Sequence, residues 1–165
     1  MAVRYSPIAI CVAILALMGV TRPAFTQTRI LPATLGELVL RRSLEGEEAR
    51  SRLNRMHDKD VVPEQSLVGE YEGAGHHGTL YVSRYALPSQ AKKTDDQMAL
   101  RIKRGSRIFR AYTGSNSGSI RLSRCVGMGQ THYFFHLKTN VYWLAIDASV
   151  GEVTLRALLA DVRNQ

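Results

Sequence analysis

Cysteine is almost missing from this chain of 165 residues: only Cys11 and Cys125 occur. Acidic residues are missing from the first 26 positions altogether. The longest charge-free apolar run, Ile8 to Val20, holds thirteen residues, short of the ~20 needed to cross a hydrocarbon core as a helix. No internal repeat and no low-complexity tract is present, which excludes solenoids and propellers. P-loop, G-x-S-x-G and H-E-x-x-H signatures are missing too, so no reaction announces itself by a local motif.

What stands at the N-terminus has the form of a secretory signal. One cation, Arg4, precedes the apolar run, Pro23 breaks any helix, and Ala24-Phe25-Thr26 puts small residues at the −3 and −1 positions of a cut before Gln27. An h-region of ~7–15 residues is the usual length. Residues 1–26 are therefore expected to be a signal peptide, residues 27–36 a tether, and residues 37–165 a single α+β domain. The alternative is an uncleaved signal that anchors the chain to the membrane. The expected location is periplasmic or extracellular. No lipid-acceptor cysteine follows the run, and no arginine pair precedes it. With Cys11 in the signal, Cys125 has no partner for an internal disulfide, so a packed core must hold the domain. Cys125 itself, in the strand-like IRLSRCV, is expected to be a small buried hydrophobe.

Charge is uneven along the chain. Residues 27–83 carry 7 Lys and Arg against 9 Asp and Glu, residues 84–124 carry 10 against 2, and residues 125–165 carry 3 against 3. The excess thus sits in the middle third, where Arg101, Lys103, Arg104, Arg107 and Arg110 follow one another closely. Such a field favours an anionic partner and a salt-sensitive attraction: anionic lipid, polysaccharide, nucleic acid or an acidic protein surface. No nucleic-acid motif accompanies it. A solvated basic surface without a partner is the plainer explanation of the same charges.

Periodicity predicts the order β-α-β-β-α-β-β-β-β-α. GELVLRR is a strand, and Ala49, Leu53 and Met56 mark one face of a helix over 46–59. SLVGEYEG and GTLYVSRYAL are strands about a glycine-rich loop, Gly73 to Gly78. A second helix starts at Pro88-Ser89, with Ser89 as its cap and Ala91, Met98 and Ile102 on one face. RIFRAYT and SIRLSRCV are strands joined by a loop over 114–119. THYFFHL and VYWLAID form an aromatic hairpin. Ser149 to Glu152 has the spacing of a capping box, ahead of a helix with Leu155, Leu158, Leu159 and Val162 on one face. Hairpins outnumber crossovers, so a mostly antiparallel sheet is expected, with its amphipathic helices packed on one face.

Several patterns invite a chemical interpretation and fail it. Gly73-Ala74-Gly75-His76-His77-Gly78 spells G-x-G-x-x-G, but a strand follows where the dinucleotide fingerprint requires a helix N-terminus. Ser89-Gln90-Ala91-Lys92 spells the S-x-x-K of penicillin-binding proteins and β-lactamases; the S-D-N and K-T-G elements are missing, with only Lys93-Thr94-Asp95 and Lys138-Thr139-Asn140 in their stead. His132 and His136 are four apart, a ligand spacing on a helix; on a strand they are ~13 Å apart and cannot share an ion. Glu70 and Glu72 share a strand face as exposed acids. No catalytic residue, metal site or cofactor is assigned. The chain is expected to be an exported, non-catalytic binding module with a basic surface for an anionic partner. The alternative is a small exported hydrolase or ligand-binding protein using a histidine-lined site around His76, His77 and His132. A structural subunit of an envelope complex is a third possibility.

Overall fold

The computed structural model describes residues 30–54 and 63–165. The expected signal segment and Met56 lie outside the described residues. Within them the elements are β1 (Thr34–Leu35), β2 (Leu38–Glu45), α1 (Gly46–Asn54), β3 (Gln65–Gly73), β4 (His76–Arg84), α2 (Pro88–Lys103), β5 (Arg110–Ser117), β6 (Ile120–Gly127), β7 (Gln130–Leu137), β8 (Asn140–Ile146), a 3-10 turn (Ala148–Val150) and α3 (Gly151–Arg163). All strands join one sheet in the order β1-β2-β3-β4-β8-β7-β6-β5, and every neighbouring pair is antiparallel. The fold is thus α+β with a mostly antiparallel sheet. Strands β5 to β8 form a meander whose last member pairs with β4 in mid-sheet. Helix α2 carries the chain from β4 across to the far edge, β5.

The helices do not share one face, as expected from the sequence, but divide between two. The central strands are apolar at both parities: β8 is buried at every position from Val141 to Ile146. A strand alternates its side chains, so such a run needs cover on both sides. Leu80, Val82, Tyr133, Phe135, Tyr142, Leu144 and Ile146 point to the core under α3, which supplies Leu155, Leu158, Leu159 and Val162. Their neighbours Tyr81, Phe134 and Trp143 point to a second core, under Ala49 and Leu53 of α1 and Ala99 and Ile102 of α2. Cross-strand aromatic pairs tie the central hairpin on each side: Phe134 stacks on Trp143 at 4.9 Å and Phe135 on Tyr142 at 5.0 Å. Such pairs add ~0.5–1.5 kcal/mol each beyond their burial.

The described part of the expected tether, residues 30–36, contributes Leu31 and Leu35 to the α3-side core. The Tyr71 hydroxyl donates to the Pro32 carbonyl at 3.0 Å, and β1 pairs with β2.

The turns are tighter than the sequence suggested. The Gly73–Gly78 stretch is no open loop: β3 and β4 pair up to Gly73 and His76, leaving the two-residue turn Ala74-Gly75, with φ of 51° and 79°. Both positive values mark a type I′ turn, whose twist matches the strands it joins. Gly73 is there for a different reason, since a Cβ on it would lie 2.3 Å from the Glu37 carbonyl oxygen. Likewise the 114–119 loop shrinks to Gly118-Ser119, because Gly114 to Ser117 are in β5, paired with β6. Two helix starts also differ. Helix α2 begins at Pro88 with Leu87 as N-cap, and Gln90 Oε1 accepts from the Leu87 N–H at 3.1 Å; proline suits the first helical position, having no N–H to leave unpaired. The Ser149–Glu152 capping box does not form, since Ser149 lies in the 3-10 turn and Glu152 instead accepts from the Tyr133 hydroxyl at 3.1 Å.

Candidate functional site

Arg101, Lys103, Arg104, Arg107 and Arg110 are all exposed. They run from the last turn of α2, through the connection over 104–109, to the first residue of β5. Among the described residues none of the five enters an ion pair. From Gln97 to Ile146 the chain has no Asp or Glu at all, against eight Lys and Arg.

The connection is tied by two hydrogen bonds and an aromatic anchor. Ser106 Oγ accepts from the Ile108 N–H at 3.2 Å and from the Phe109 N–H at 3.0 Å, a side-chain turn of the kind serine makes. Phe109 then turns inward, 5.0 Å from the His132 ring and 5.3 Å from Trp143. Gly127 makes room for it: a Cβ there would lie 2.6 Å from Phe109 Cδ1 and 2.7 Å from the Ile108 carbonyl oxygen. With Phe109 anchored, Ile108 is left 55% exposed.

A second charged group was not foreseen from the sequence. Asp95, in the middle of α2, is fully buried. Its Oδ2 is 2.8 Å from Arg121 Nη2 and 2.8 Å from His136 Nδ1, while Asp96 takes Arg121 Nη1 and Lys92 Nζ, each at 2.7 Å. The hydrogen bond from Lys92, with help from Arg121, holds the Asp96 carboxyl below its ordinary range. For Arg121, burial opposes the charge, but the two aspartates outweigh it and raise its pKa. The β6–β7 ladder sets the assembly up: its last pair is Ser123 with Phe134, and Arg121 and His136 each lie two residues beyond, on the same side of their strands. Residues 26 and 41 positions apart meet through register, which no local spacing could have revealed.

The histidines are distributed among different partners. His76 lies 3.8 Å from Asp147 and 3.5 Å from Ser149 Oγ; His77 faces Glu72 at 3.6 Å. His132 is buried, accepting at Nδ1 from Trp143 Nε1–H at 3.1 Å, which leaves Nε2–H to donate to the Gly127 carbonyl at 2.9 Å. Burial holds this imidazole below its ordinary pKa, in keeping with a neutral ring. None of these contacts joins His132 to His76 or His77, and no three His, Cys, Asp or Glu among the described residues come together to hold a metal ion. Glu70 pairs with Arg52 at 3.5 Å. Cys125 is buried and free, and burial pushes its thiol up to about 11, which disfavours the thiolate that a nucleophile needs.

No protein-family model matches the chain, and no curated protein or solved structure is significantly similar to it.

Proposed function

We propose that this protein is an exported, non-catalytic binding module whose basic surface, Arg101, Lys103, Arg104, Arg107 and Arg110, engages an anionic partner. The observation that supports it is the contrast in pairing: the cations around Asp95 and Asp96 are neutralised, whereas these five stand exposed beside a stretch without acid. Uncompensated like charges repel one another and cost stability, a cost that an anionic partner removes. The uncharged Ile8–Val20 run, followed by Pro23, supports export. The partner classes compatible with the charge alone are anionic lipid, anionic polysaccharide, nucleic acid and an acidic protein face.

The test is binding of residues 27–165 to anionic vesicles and to soluble dextran sulfate across a salt series. Arg104→Glu with Arg107→Glu is expected to lower affinity at least about tenfold at low salt, given ~1 kcal/mol per cation near an anionic surface. It should also flatten the salt dependence. An unchanged salt dependence in that variant would remove the basic surface from consideration.

A further inference from the structure

We infer that the anionic partner is a lipid bilayer, and that Ile108 and Met128 enter its interfacial layer while the surrounding arginines meet its headgroups. This rests on the basic-surface proposal and narrows it to one partner. Met128 is the most exposed of the large apolar side chains described, at 76%. It occupies the first position of the two-residue β6–β7 turn, with φ of 51° beside Gly129 at 80°. Both positions of such a turn favour Asn, Asp or Gly, and left-handed backbone is costly for a long side chain. Methionine there is unfavourable in exposure as well as in conformation, a backbone setting it shares with Ala74 in the β3–β4 turn and Lys138 in the β7–β8 turn.

Ile108 comes to the same place by a separate route. Its carbonyl oxygen abuts Gly127, the residue next to Met128, and β5 opens with Arg110 paired to Val126. The Ser106 hydroxyl and the Phe109 anchor fix the backbone on either side of it, so the isoleucine is held outward before any partner arrives. Leu100, 47% exposed, lies one helical turn before Arg104 on α2. Aliphatic side chains set among cations are the composition that binds an anionic bilayer by both apolar burial and charge attraction. A polysaccharide offers the charges but no acyl layer for Ile108 and Met128. No helix among the described residues is long and apolar enough to cross a membrane, so the contact made here would be peripheral.

The experiment compares residues 27–165 with two variants, Met128→Asn and Ile108→Ser, on phosphatidylglycerol-containing vesicles, phosphatidylcholine vesicles and dextran sulfate. Met128→Asn should fold at least as well as the parent, since asparagine suits the turn. Each variant is expected to lose about tenfold in affinity for the anionic vesicles, the scale of one part-buried aliphatic side chain, with dextran sulfate binding unchanged. Two results would overturn the lipid inference and leave the basic surface standing. In one, both variants keep full vesicle affinity while Arg104→Glu with Arg107→Glu abolishes it. In the other, the parent binds dextran sulfate but no vesicle. Failure to bind any of the three probes at low salt would defeat the basic-surface proposal itself, and this inference with it.

Discussion

The two halves of α2 handle charge in opposite ways. In the N-terminal half, Lys92 pairs with Asp96, Arg121 joins Asp96 to Asp95, and Asp95 also takes His136, at 2.7–2.8 Å throughout. In the C-terminal half, Arg101 and Lys103 extend without an acid, although Lys103 lies 5.9 Å from the Tyr112 ring centroid. Cations suit the C-terminal end of a helix dipole, but that explains at most the first one or two and not Arg107 or Arg110 beyond it. The lesson is that net charge alone does not identify a surface. Arg121 belongs to the same basic third of the sequence, yet it is part of the architecture.

The comparison is broken most severely at Asp95. Asp95→Ala removes the common acceptor of Arg121 and His136 and should cost about 2–3 kcal/mol in urea unfolding. That is below the ~3–5 kcal/mol of a fully buried pair, because the Arg121 side chain is 41% exposed. A loss under about 0.5 kcal/mol would mean the network is incidental. Gly127→Ala comes next: the new methyl has no space beside Phe109 and the Ile108 carbonyl, and overpacking of this kind costs ~1–3 kcal/mol. Because it displaces the connection over 104–109, it should weaken vesicle binding without altering a single charge.

A third effect depends on pH. His132 is held below its ordinary pKa of 6.5 by burial, so the unfolded chain takes up that proton first as pH falls. The contribution is intact above about 6.5 and is lost as pH drops toward the folded pKa. The slope is at most ~1.4 kcal/mol per pH unit for one proton. Urea midpoints at several pH values should show this decline, and His132→Gln should flatten it; an equal slope in the variant would place the proton elsewhere. The smallest stability effect belongs to Arg104→Glu with Arg107→Glu, expected within about 0.5 kcal/mol of the parent. That near-zero value sharpens the contrast with Asp95: one end of the helix holds the fold, and the other carries charges the fold does not need.

Much of this fold was legible in local pattern. The aromatic hairpin, the apolar face of α3 and the exposure of the five cations all follow from residues near one another in sequence. Burial of the central hairpin on both sides is also legible, in the apolar residues at both parities of VYWLAI; which helix covers which side is not, and the one-face packing expected of the helices is not what forms. The hairpins at both glycine-rich turns were legible, and only their length was not, because Gly73 and Gly114 look like loop residues. Gly73 is in a strand, where its missing Cβ admits a neighbouring backbone, and Gly114 is paired in β5. The Asp95 network was beyond reach, since it depends on strand register and on the rotation of α2 over the sheet. Ile108 and Met128, ordinary in composition, became notable only once their exposure and backbone geometry were known.

Trp143 is the only tryptophan in the chain, and it is enclosed by Phe134, His132 and Phe109. Phe109 is the root of the same short connection that presents Ile108. The molecule therefore has a built-in optical sensor beneath the connection proposed to bind. Any partner that pulls on that connection changes the surroundings of one indole, and its emission can be followed without attaching a label.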